Sequence, residues 1–156
     1  MKTLNLFTIK TTIILLFCCS PNDQEPCDTL LTLKSLESEY GCENTIYSID
    51  ITLKDTFTII RSQESFEQQV IDRANCNPEI DFSVFDLVIG KQFGETLVYK
   101  IEYELVRECQ TKELKLTVKI FWGDATQPSN PTYHALIPKL IDEEEIEVIV
   151  EQLNSY

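Results

Sequence analysis

The sequence predicts an α+β domain: a mostly antiparallel β-sheet of about six to eight strands with one main short helix. Three observations predict it. Apolar and polar residues alternate with a period of two over residues 46–53, 97–105, 114–122 and 146–150, the pattern of strands with one face in a core and one in water. Apolar residues four apart, the spacing of a buried helical stripe, stand out at one place, Phe66, Val70 and Ala74. Segments rich in Pro, Asn and Gly separate the runs at 75–78, 90–95 and 123–131.

The first residues are a processing segment. Lys2 and Lys10 supply positive charge, and Ile13-Ile14-Leu15-Leu16-Phe17 is an apolar run ending at Cys18-Cys19-Ser20. A spanning helix needs about 20 apolar residues, so this run reads as a signal peptide. With Leu16 three residues before Cys19, it resembles a bacterial lipoprotein signal, in which the cysteine is acylated and becomes the mature N-terminus. Cys19 fits better than Cys18, because Cys18 then fills the preceding small-residue position that Phe17 would fill poorly. The alternative is an ordinary cleaved signal with two incidental cysteines. Residues 1–18 are thus expected to be the signal, 19–28 a lipidated cysteine and flexible tether, and 29–156 a single domain. Two acyl chains make such an anchor stable. The acids Asp23 and Glu25 after the cysteine are similar to the surface-export signals of Bacteroidetes lipoproteins. An outer-membrane lipoprotein of the cell envelope is expected, on its periplasmic or surface face.

Without the signal, 26 acidic residues stand against 11 basic ones, a formal charge of −15. A field of that sign disfavours nucleic acid and anionic headgroups as partners.

Leu30, Leu31, Leu33 and Leu36 suit either a short helix or an irregular strand. Residues 46–53 read as a half-buried strand, Lys54-Asp55 as a turn and 56–60 as the next strand. Ser62 can cap a helix over 63–73, with Glu64 favouring its dipole, and Asn75-Cys76-Asn77-Pro78 ends it. The run 80–90 is apolar on both alternating faces, as in a strand covered on two sides. Gly90 and Gly94 mark a turn into 97–105, where Leu97, Tyr99, Ile101, Tyr103 and Leu105 share one face. Together 80–105 read as a central hairpin. Gln110-Thr111-Lys112 turns into a strand over 114–122. The loop 123–131 is where recognition residues are expected, with Trp122, Asp124, Asn130 and Tyr133 as a candidate interaction set. Residues 133–138 read as a strand ending in proline, and 146–150 as a last strand on an edge.

Cys27, Cys42, Cys76 and Cys109 remain after Cys18 and Cys19 are assigned, an even set in an oxidising compartment, hence two disulfides. If the central turn lies near Gln92 or Phe93, antiparallel pairing sets Cys76 opposite Cys109 and leaves Cys27 with Cys42. No Cys-x-x-Cys pair occurs, so no metal site is expected.

Ile59-Ile60-Arg61-Ser62, a short helix with Phe66, Pro78-Glu79-Ile80-Asp81-Phe82, a buried strand to Gly90-Lys91, two long strands, and Thr132-Tyr133 leading to Ile137-Pro138-Lys139 form one pattern. It resembles the C-terminal domain family of the protease complex subunit PrcB, over residues 57–141. Members are commonly bacterial lipoproteins or exported proteins, and the family name implies an accessory role beside a surface protease. The family is defined by fold, so the resemblance implies no active-site residues.

Signs of catalysis are few. The sole histidine, His134, reads as a surface or hydrogen-bonded structural residue, and no serine sits in a nucleophile elbow. The acids of 142–145 lack the spacing of a calcium loop. Asp81 and Asp86 could be imagined as a glycosidase pair, yet Asp81, close to Pro78, reads as capping the start of a strand. Phosphate-binding motifs are absent. The expectation is a protein that is not an enzyme and carries no cofactor. It would be a lipid-anchored envelope accessory protein whose partner is a protease or another envelope protein. The alternative is a small-ligand or glycan-binding module, with Trp122, Tyr133 and Tyr103 as stacking residues.

Overall fold

The computed structural model describes residues 28–72, 76–141 and 144–154. Cys19, Cys27 and the signal and tether therefore lie outside the described residues. The elements in order are β1 (Thr29–Leu31), α1 (Leu36–Tyr40), α2 (Thr45–Ser48), β2 (Asp50–Ile51), β3 (Phe57–Ile60), α3 (Gln63–Gln69), β4 (Val70–Asp72), β5 (Phe85–Lys91), β6 (Val98–Arg107), β7 (Leu114–Trp122), β8 (Thr132–Pro138) and β9 (Ile146–Asn154). The fold is mostly β and mostly antiparallel, as expected, but the described residues form nine strands and three short helices instead of six to eight strands and one main helix, and the strands make three sheets instead of one: β1-β6-β7-β9, β3-β5-β8 and the pair β2-β4.

β3-β5-β8 is the middle layer. Leu87 and Ile89 of β5 pack with Leu36, Phe66 and Val70 on one side, while Val88 packs with Leu105, Leu116 and Val118 of the outer sheet on the other. A strand covered on both faces has no position for a solvated side chain, so residues 86–90 are all buried. β7 has one wet face and alternates buried and half-buried throughout.

The central hairpin is not formed. β5 pairs with β3 and β8, whereas β6 pairs with β1 and β7. Residues 92–97 carry the chain from the middle layer to the outer sheet. The physical reason lies in the two patterns themselves, since a strand buried on both faces belongs in the middle and a one-sided strand outside. The disulfide pairing drawn from the hairpin falls with it. Cys42 is bonded to Cys76, joining the segment after α1 to the segment after β4, with both cysteines buried. Cys109 is also disulfide-bonded.

Several local expectations are corrected as well. Residues 45–48 form a helical turn entered through Asn44 at φ 54, and the strand pattern holds only from Ile49 onward. Ser62 caps α3 as expected, its hydroxyl accepting from the Ser65 amide, but the helix stops at Gln69. β-branched Val70 and Ile71 prefer extended backbone and pair with β2. Residues 29–40 divide into a strand and a helix, the helix closed by a Ser35–Ser38 capping box. The register of β6 shifts between Val98 and Lys100, which turns Tyr99 outward at 73% exposure instead of into the core. β9 is an edge strand, as read, and runs parallel to β7.

Candidate functional site

β1 covers only the last part of β6, pairing Thr29, Leu30 and Leu31 with Arg107, Val106 and Leu105. The chain then leaves for the middle layer, where Lys34 and Leu136 exchange two backbone hydrogen bonds of 3.0 and 2.8 Å. At the other end of the same edge, the Val98 amide donates to the Tyr47 hydroxyl at 2.7 Å. Between these two, among the described residues, no strand lies against residues 99–104 on the side of β6 that faces away from β7. The open stretch is about 20 Å long at the usual strand rise.

Two clefts adjoin it. One of about 370 Å³ is lined by Leu33, Glu37, Thr45, Ile46, Ile101, Tyr103 and His134, among others. The second, about 480 Å³, continues over the edge past Leu30 and Glu102 to Lys119. Leu33, Ile101 and Tyr103 line both, so the two form one groove with an apolar floor. Leu30, Tyr47 and Tyr99, exposed at 70, 52 and 73%, flank the edge.

A polar chain closes one wall. The Thr45 hydroxyl donates its single proton to Glu37, so His134, with Nε2 at 2.6 Å from Thr45 Oγ1, is the donor in that second bond. The His134 amide donates to the Tyr103 hydroxyl at 3.0 Å, and the other ring nitrogen, Nδ1, is buried without a hydrogen bond. Burial works against the charge of Glu37, yet hydrogen bonding to His134 and that ring's charge outweigh it and bring the carboxyl below its ordinary value. Burial pushes the Tyr103 hydroxyl well above the usual tyrosine range. Glu, Thr and His in a row resemble a nucleophile with its bases, but Thr45 has no exposed surface for a substrate to reach. The hydroxyl instead holds α1, α2 and β8 together.

The expected interaction set is not brought together as one surface. Trp122, 6% exposed, packs against Gly94, and Tyr133, 1% exposed, lies over Gly90 with its hydroxyl donating to the Thr56 carbonyl at 3.2 Å. Burial raises the Tyr133 hydroxyl to about 12. Asp124 and Asn130 are exposed, on a loop pinned to 94–97 by the reciprocal Gly94–Ser129 bonds and by Ser129 Oγ donating to the Thr96 carbonyl at 2.7 Å. Two of the three stacking candidates are therefore core residues, and Tyr103 alone reaches the groove. Leu30, Glu37, Thr45, Tyr47 and Tyr99 were not marked by the sequence. What could have found the site is the mismatch between a long strand and the short leucine-rich run beside it.

The two aspartates do unrelated work. Asp81 accepts from the Ser83 amide and hydroxyl in a turn before β5, and those bonds lower its pKa. Asp86 is fully buried, bonded to Lys139 Nζ at 2.8 Å and to the Leu140 amide at 3.1 Å. Among the described residues, no group of three or more His, Cys, Asp or Glu is arranged to hold a metal ion, and no helix is long and apolar enough to cross a membrane. Comparison of the chain with protein-family models, with curated proteins and with solved structures finds no match in any of the three.

Proposed function

We propose that this chain is a lipid-anchored accessory protein of a bacterial outer membrane, held through Cys19, which docks a partner protein without itself catalysing a reaction. A surface or periplasmic protease is the first partner class, in keeping with the resemblance to the PrcB C-terminal domain family. The observation that carries the reading is the row of Leu30, Tyr47 and Tyr99, large apolar side chains standing in water along the open edge of β6 on a strongly acidic molecule. The start of the described residues agrees with it. The Cys109 amide donates to Asp28 at 3.2 Å and Thr29 pairs with Arg107, so residues 28 and 29 lie at the C-terminal end of β6. Tyr47 and Tyr99 lie at the opposite end of that strand, about 30 Å away at the usual rise, where a partner meets them clear of the lipid surface.

The test is capture from cross-linked, detergent-solubilised envelopes. The native chain is expected to retain a protease or another envelope protein that a Leu30→Ser, Tyr99→Ser double variant, folded to the same degree, does not. Equal recovery by both chains, or no protein above a tagged control, contradicts the reading.

A further inference from the structure

We propose that the open part of β6 is a strand-binding slot, in which an extended, cation-bearing segment of the partner pairs with residues 99–104 and continues the line of β1. The inference rests on the docking reading above and adds the mode of recognition.

Both ends of this edge are already satisfied, by β1 at residues 105–107 and by the Tyr47 hydroxyl at Val98. The amides and carbonyls between them that point away from β7 meet no strand among the described residues, and a backbone row of that kind is complementary to another extended backbone. Edges are commonly guarded by lysine. Lys100, the lysine of this stretch, is instead folded away over the Phe121 ring at 4.3 Å and bonded to Glu102 at 2.7 Å. Alternate side chains of an added strand would face the groove floor of Leu33, Ile101 and Tyr103. Glu37 on the groove wall is paired with His134 at 3.6 Å and, among the described residues, with no lysine or arginine, so a cation in the entering segment would add a second partner.

The probe is a synthetic seven-residue peptide alternating lysine and valine, added to the whole chain, with binding read by fluorescence anisotropy and by amide hydrogen exchange. Binding is expected to slow exchange at 99–104. N-methylation of alternate peptide amides keeps the side chains but removes the pairing, and should weaken binding at least about tenfold. Glu37→Gln, which keeps the Thr45 bond, should weaken it severalfold. Equal binding of the N-methylated peptide, or protection only elsewhere, overturns the slot. So does a chain that sediments as a dimer with 99–104 protected before peptide is added, since the occupant is then a second copy. If envelope capture depends on Leu30 and Tyr99 while 99–104 gain no protection, the slot falls and the docking reading stands. If the peptide fills the slot and the envelope yields no partner, the slot stands and the docking reading falls.

Discussion

A methyl group at Gly90 would lie 2.3 Å from the Tyr133 ring and 2.6 Å from the Thr56 carbonyl oxygen. The ring is held in place by the core around it and by its hydroxyl on that same carbonyl, so it has little room to yield. Gly90→Ala is expected to cost about 2 kcal/mol in urea denaturation, in the range of overpacking. A stability equal to the native chain's would mean that the ring moves freely. Glu37 supports a second prediction. Its carboxyl is lower in the folded chain than its ordinary 4.5, so it stabilises the fold above that pH and loses the contribution as pH falls through its folded value. Stability should therefore decline below about pH 4.5, and Glu37→Gln should flatten that part of the profile. An unchanged slope contradicts the assignment.

At the scale of elements, the cysteines separate two topologies. Peptide mapping of the oxidised protein is expected to recover Cys42 with Cys76, and Cys109 with Cys27, the cysteine next to Asp28, whose carboxylate accepts from the Cys109 amide. Recovery of Cys76 with Cys109 would restore the hairpin and contradict the layers. Replacing Cys42 and Cys76 by alanine should cost about 3–4 kcal/mol from the loop they close. Strands such as β7 and β8 were legible in the sequence because alternation and two-sided burial are written into local order. So was the Ser62 cap. Neighbours were not legible, because periodicity says how many faces a strand buries and nothing about which strand lies beside it. Two adjacent runs were paired for that reason although they belong to different layers. The helical turn at 45–48 was hidden by alternation that continues correctly through Ile49 and Ile51. The groove was the least legible feature, since it exists only because β1 stops short of covering β6.

For the molecule as a whole, the proposed anchoring and presentation would make one arrangement. Cys19→Ala should move the protein from the membrane fraction to the soluble fraction, read by fractionation and fatty-acid labelling. Retention of label would contradict attachment at that residue. A formal charge of −15 over residues 19–156 would favour basic segments over nucleic acid, so on the proposed reading partner capture should weaken as salt is raised. The central claim, that a partner docks along the open edge of β6, is tested most directly by photo-crosslinking in living cells. A photoreactive phenylalanine at Tyr99 is compared with one at Val84, which is exposed, lies just before β5 and lines neither cleft of the groove. An adduct with a second protein at position 99 and none at 84 is the predicted result. Adducts at 84 and none at 99 would contradict it.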